Sequence, residues 1–298
     1  MPSTVNLLAE LSVPSKTFLL GEYLILGGGP ALLVATAPRF SLKVSDSPEN
    51  QKSFHPESPA GLLLQKYPER NLKFEFIDPH QSSGGLGASS AQFALVQAFS
   101  DPGMDLQKIY QSYRLLSVNQ DRFDRPSGGD VVAQVNGGLT YFHPLQNRVE
   151  KAEWQFDDLD FSLFKTSQKL ATHEHLKETR DRLVQFQKSD LLKPAQTAVD
   201  QALSSLKNRD AAAFVGAFRS FAAVLNELRF VSDLTKDLLT ELKSRPEVLA
   251  AKGCGAMGAD VICVLHKPQD KIELPGLRFL ASSLQIEAQG LRFDSAMK

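Results

Sequence analysis

Residues 82–92 read SSGGLGASSAQ: three glycines within four positions, then small hydroxyl residues that open an apolar run. LKFEFID, just before it, alternates in polarity and predicts a strand. SSAQFALVQAFS, overlapping its end, has helical composition and stops at Asp101-Pro102-Gly103. A glycine loop between a strand and a helix has three readings. It is a tight turn in which glycine supplies positive φ. It is a dinucleotide fingerprint, or it is a phosphate cradle at a helix N-terminus. The fingerprint is set aside: Gly85 and Gly87 give GxG, but Ser90 stands at the third glycine. Asp105, at the distance of the acidic partner, opens a helix and does not end a strand. In the cradle, backbone N–H groups from Gly85 to Ser90 point at an anion that the helix dipole favours. Ser89 and Ser90 add hydroxyl contacts or hold Mg²⁺. A Walker A loop and the protein-kinase HRD and DFG motifs are absent, so phosphoryl transfer here needs another loop design.

Outward from this knot, the N-terminal half reads as short apolar β segments: TFLL, EYLIL, ALLVATA and FSLKV, divided by Gly or Pro, with LGGGP as a turn. SDSPENQKSFHPESP reads as a surface loop. DLQKIYQSYRLLSVNQ is a helix with Asp105 as N-cap, and GGLTYFHPL is a strand. The stretch from about 173 to 249 is mostly helical, broken at KSDLLKP and KNRD, and DVICVLH is a buried strand. The plan is α+β, with a change of character near 155.

Composition narrows the partners. The 298 residues suit one large domain or two modest ones. A net charge of −1 selects neither nucleic acid nor an anionic membrane. No apolar run is long enough to span a bilayer, and the N-terminus lacks the pattern of a signal peptide. Cys254 and Cys263 make no disulfide framework and no zinc spacing, so the expectation is a reduced, cytoplasmic protein.

Three more clusters accompany the knot: VPSKTFLLGEYLILGGGPAL at 13–32, RPSGGDVVAQVNGGL at 125–139 and AAKGCGAMGAD at 250–260. Each alone is a turn. Together, in this order, they resemble the signature motifs of the GHMP kinases, the superfamily of galactokinase, homoserine kinase, mevalonate kinase and phosphomevalonate kinase. The first motif is matched by Pro14-Ser15-Lys16, Gly21-Glu22-Tyr23 and Gly29-Pro30-Ala31-Leu32. The second is matched by Gly85 to Ser90, and the third by Lys252 to Ala259. Pro126-Ser127-Gly128-Gly129-Asp130 matches the PSGxD of the mevalonate kinase branch. The chain departs from the pattern at Ser15, Ala88, Cys254 and Met257. Asn119 stands where mevalonate kinases carry a glutamate that helps bind Mg²⁺, with Asp121 nearby.

The resemblance implies an α+β, two-domain GHMP kinase fold. Residues 1–155 form a half like ribosomal protein S5 domain 2, and residues 156–298 form a ferredoxin-like half. It implies ATP and Mg²⁺ as cofactors and a small anionic acceptor, phosphomevalonate ahead of mevalonate. Nucleic acid and membrane have no part, and the chain is a monomer or homodimer. Asp130 would face the acceptor oxygen, as a carboxylate that takes its proton; the plainer reading is a turn or cap residue. Lys16 would pair with Asp130; the plainer reading is a solvated lysine. Gly85, Leu86, Gly87, Ala88, Ser89 and Ser90 would hold ATP, with Ser89 and Ser90 near the metal. Tyr23, Ser127, Gly128, Gly255 and Ala256 would meet the substrate. So would Lys169, Thr172 and His173, from a basic loop that begins at Lys165. Arg122 and Arg125 flank the PSG loop, where each meets an anion or is a solvated turn charge. Asp260 caps a strand or forms a salt bridge. Diphosphomevalonate decarboxylase, and a binding protein of the same fold without turnover, are the alternatives.

Overall fold

A computed structural model of the chain describes residues 6–46, 54–66, 71–81, 84–117, 125–166 and 180–295. Among these, the strands are β1 (Leu7–Leu20), β2 (Ala31–Asp46), β3 (Leu72–Ile77), β4 (Leu139–His143), β5 (Arg148–Ala152), β6 (Asp160–Lys165), β7 (Val248–Cys254), β8 (Val261–His266), β9 (Arg278–Ser282) and β10 (Arg292–Ser295). They form two sheets. One runs β10-β1-β2-β4-β5, with β3 also paired to β2, and the other runs β7-β8-β6-β9. Every pairing is antiparallel. The helices of the first half are α1 (Pro59–Gln65), α2 (Ala88–Ser100), α3 (Leu106–Leu116) and α4 (Gly129–Asn136). The later helices are Leu192–Asn208, Ala211–Glu227 and Asp233–Lys243, and residues 180–186 are also helical. No helix among the described residues is long and apolar enough to cross a membrane.

β1 is buried without a break from Leu11 to Thr17. Successive side chains of a strand point to opposite faces, so both faces of β1 are covered. Helices α2, α4 and Ala211–Glu227 all pack on it. This double cover explains why Ser12, Ser15, Lys16 and Thr17 lie inside the protein. One apolar cluster joins the two sheets, from Leu11 and Phe40 through Phe186 and Phe214 to Phe161 and Val261. Near 155, where the sequence changes character, Trp154 packs edge-on against Phe156, Phe161 and Phe214.

The structure revises several sequence expectations. EYLIL is no strand. Gly21 has φ +97°, and a Cβ there would lie 2.4 Å from Ala31 Cα, so the chain turns sharply and passes through a 3₁₀ turn at Ile25–Gly27. ALLVATA and FSLKV are one strand. The register shifts between Pro14 and Ser15, opposite the cis Ala37–Pro38 bond, and β2 continues beyond it. The supposed loop ends in helix α1, capped by Ser58, whose Oγ accepts from Gly61 N at 3.1 Å. α4 begins inside RPSGGDVVAQVNGGL, which on its own reads as a turn. Asp105 does cap α3, accepting from Lys108 N at 2.9 Å.

β10 lies in the C-terminal half of the sequence yet completes the first sheet, pairing Glu10 with Ser295 and Leu11 with Phe293. Arg39 fastens the segment before it. Its Nη1 donates to Glu287 Oε2 and to Gln289 O, both at 2.9 Å, and its Nη2 donates to Ser12 O at 3.0 Å.

Candidate active site

The glycine knot joins β3 to α2, as its flanking sequences predict. Gly85 (φ +76°) and Gly87 (φ +93°) take backbone conformations that disfavour side chains, and neither has room for one. A Cβ on Gly85 would lie 2.5 Å from Asp260 Cβ, and a Cβ on Gly87 2.8 Å from Gln134 Nε2. Three successive carbonyls of the knot accept from the protein. Lys16 Nζ donates to Gly85 O at 3.4 Å, and Lys16 N donates to Leu86 O at 3.1 Å. Gly87 O accepts from Gln134 Nε2 at 3.0 Å, from Ser90 Oγ at 2.9 Å and from Ala91 N at 2.9 Å. No side chain caps the first turn of α2. Its leading N–H groups, beginning at Ala88, therefore lack the usual partner and favour an anion. Ser89 is exposed at this end, whereas Ser90 is buried with its hydroxyl turned back to Gly87 O. Of the two serines expected near a metal, Ser89 alone faces outward.

Lys16 brings the first motif to the PSG loop. Its Nζ lies 2.9 Å from Asp130 Oδ1 and 5.1 Å from the Phe18 ring centre. It is 6% exposed, so the solvated-lysine reading fails. Asp130 sits in the first turn of α4, half-exposed. Gly128 (φ +78°) backs onto Tyr110, and Ser127 Oγ accepts from Gly129 N at 3.2 Å. One turn after Asp130, Gln134 is fully buried and also donates to Pro14 O at 3.1 Å.

The third glycine loop follows β7. Lys252, at 1% exposure, forms a buried ion pair with Glu22 Oε1 of the first motif and donates to Gly253 O at 3.0 Å. Burial raises the Glu22 carboxyl above its ordinary value, against the opposing pull of Lys252. Met257, where the motif favours glycine, has φ +51°. Its N–H donates to Tyr23 Oη at 2.7 Å, and Ser232 N donates to Met257 O at 2.9 Å. Ala256 N donates to Asp260 Oδ2 at 3.4 Å. Gly258 N and Ala259 N return to Gly255 O and Ala256 O at 3.0 and 2.9 Å. The amides of 256–259 are thus engaged inside the protein.

Tyr23 and Ala256, expected at the substrate, are both buried. The Tyr23 ring stacks on Phe230 at 4.1 Å, and burial raises its hydroxyl pKa. Its place is under the third loop. Lys165, read as the start of a basic loop, ends β6 inside the protein. Its Nζ donates to Asp260 O at 3.0 Å and lies 3.9 Å from Oδ1. Asp260 packs under both glycine loops, since a Cβ on Gly255 would also meet it, 2.4 Å from Oδ2. Lys169, Thr172 and His173 lie outside the described residues, as do Asn119, Asp121 and Arg122.

Positive-φ glycines, inward carbonyls and an uncapped helix start fit the phosphates of a nucleotide. Among the described residues no cluster of three or more His, Cys, Asp or Glu could hold a metal. Mg²⁺ bound with a nucleotide takes ligands from phosphate and water; on the protein side, Ser89 is exposed and Asp130 half-exposed.

No protein-family model matches the chain, and no curated protein matches its sequence. Solved structures do match its fold. The Lin0012 protein from Listeria innocua aligns over 96% of this chain and 100% of its own, with TM-score 0.74 and 16% identity. Streptococcus pneumoniae phosphomevalonate kinase, in complex with phosphomevalonate and AMPPNP, aligns over 92% and 98%, with TM-score 0.72 and 15% identity. Methanococcus jannaschii mevalonate kinase aligns over 93% and 98%, with TM-score 0.69 and 15% identity. The chain has the mixed helix-and-sheet fold of the GHMP kinases.

Proposed function

We propose that this chain is an ATP-dependent small-molecule kinase that transfers the γ-phosphoryl group to a small anionic acceptor. Phosphomevalonate is the first candidate and mevalonate the second. One observation carries the reading. A single buried lysine, Lys16, touches Asp130 at 2.9 Å and the knot carbonyl Gly85 O at 3.4 Å, so a base and a phosphate cradle meet at one cation. The fold match to a phosphomevalonate kinase holding phosphomevalonate and AMPPNP supports the choice of acceptor.

The geometry supports the following roles. The N–H groups that begin α2 bind and orient the ATP phosphates, and Ser89 adds a hydroxyl. When bound, Mg²⁺ supplies charge neutralisation across the phosphates. Lys16 offsets negative charge as the phosphoryl group passes from the ADP oxygen to the acceptor oxygen. With a hydroxyl acceptor, Asp130 receives the proton that the new P–O bond displaces. A phosphomonoester acceptor already carries its negative charge near neutral pH, so there Asp130 serves to hold Lys16. The Lys165, Tyr23 and Asp260 contacts keep the third loop beside the knot.

ADP release with Mg-ATP, measured across phosphomevalonate, mevalonate, diphosphomevalonate, homoserine and galactose, tests the reading. Turnover is expected with phosphomevalonate. With mevalonate as acceptor, Asp130→Asn should cost about 10²–10⁴-fold in kcat, the usual range for a lost general base. With phosphomevalonate the loss should be smaller, and Lys16→Met should hurt more. Wild-type rates in both variants would remove the pair from the active site.

A further inference from the structure

Gln134 lies beyond the matched residues Pro126–Asp130, yet it touches two of the other motifs at once. It sits one helical turn after Asp130, on the same side of α4. Its amide nitrogen donates to Pro14 O of β1 at 3.1 Å and to Gly87 O of the knot at 3.0 Å. Both neighbours are carbonyls, which fixes the orientation of the amide. The side chain is fully buried, and Oε1 has no hydrogen-bond partner among the described residues. The contact to Gly87 is close enough to exclude a Cβ there.

Resting on the kinase reading, we infer that Gln134 is a positioning residue for the nucleotide. The amide plane between Gly87 and Ala88 carries its carbonyl on one side and its N–H on the other. Gly87 O is held by Gln134 Nε2 from α4 together with Ser90 Oγ and Ala91 N of α2. The Ala88 N–H, on the other side of that amide, therefore aims away from these partners, toward the phosphates. Lys16 does the same for the two preceding carbonyls. Asp130 and Gln134 thus set, from one helix, both the cation of the site and the edge of its cradle. Gln134 acts on nucleotide affinity and leaves the acceptor alone.

The test is calorimetric binding of Mg-AMPPNP, with thermal unfolding alongside. Gln134→Met keeps the length and removes the donor. Gln134→Asn keeps the amide but withdraws it by one methylene, and it serves where the Met variant does not fold. Nucleotide affinity should fall by about tenfold or more, the scale of a lost buried hydrogen bond. In turnover assays the KM for ATP should rise while the KM for the acceptor holds. Val132→Ala, a buried apolar change on the same helix, should lower the unfolding temperature without moving nucleotide affinity. Wild-type affinity in a folded Gln134 variant overturns the inference. So does an equal loss in Val132→Ala. A wild-type chain that binds no Mg-AMPPNP overturns the kinase reading, and this inference with it.

Discussion

Replacing Lys252 by Met strips the partner from a buried carboxylate. Glu22 and Lys252 have side-chain exposures of 7% and 2%, and Glu22 Oε2 has no hydrogen-bond partner among the described residues. Breaking such a pair from one side costs about 3–5 kcal/mol, because a charge is left buried and unpaired. For a chain of this size that lowers the unfolding temperature on the order of ten degrees near pH 7. The loss also carries a pH signature. Burial already raises the Glu22 carboxyl above its ordinary 4.5, and Lys252 is among the groups that pull it down. Without Lys252 the folded-state value climbs further. A carboxyl raised on folding contributes stability that is full below its unfolded value and is lost as pH rises through its folded value. The variant should therefore lose about 1.4 kcal/mol per pH unit above the unfolded value, until the folded value is passed. Urea unfolding at pH 5, 6, 7 and 8 measures this. The deficit of Lys252→Met against wild type should widen from pH 5 to pH 8. Adding Glu22→Gln should restore most of the stability and flatten the profile. A deficit independent of pH, or a double variant no more stable than the single one, would refute the argument.

Gly85→Ala and Gly255→Ala each place a methyl group against Asp260, at 2.5 and 2.4 Å, on backbone with positive φ. Both should unfold several degrees below wild type, and the Gly85 variant should also bind Mg-AMPPNP more weakly. Unchanged nucleotide affinity in folded Gly85→Ala would remove the knot from the binding site. Both cysteines are free and buried, and burial pushes the Cys254 thiol up to about 11. Thiol reagents at pH 8 should modify neither in the native protein within minutes, and both after denaturation. Fast native labelling of Cys254 would show that the third loop opens readily.

What the sequence disclosed was local. A strand, three glycines and a helix appear in that order in the letters, and so do PSGGD and the lysine at 16. Their spacing is short enough for pattern to carry meaning. Gln134 was invisible because its partners, Pro14 and Gly87, come from remote segments. In isolation it is one polar residue on a short helix. Asp260 was read as a cap or salt bridge, and it does pair with Lys165. Its place under two glycine loops depends on β8 lying beside the knot, which no local pattern encodes. Tyr23 is a different case: its motif position suggests contact with substrate, and the structure holds its ring, at a positive φ, in a buried stack with Phe230. The EYLIL segment was apolar enough for a strand, and Gly21 prevented it.

The first sheet of this chain is completed late, by β10. β1 is synthesised well before β10, and one of its edges waits for Arg292–Ser295. At ~5–20 residues per second that wait is on the order of tens of seconds. An unpaired strand edge is a template for unwanted association, and β1 is also the strand that carries Lys16. Closure between such distant segments is entropically slow. A nascent chain halted before residue 292 should therefore depend on chaperones, even with every residue of the proposed active site already synthesised.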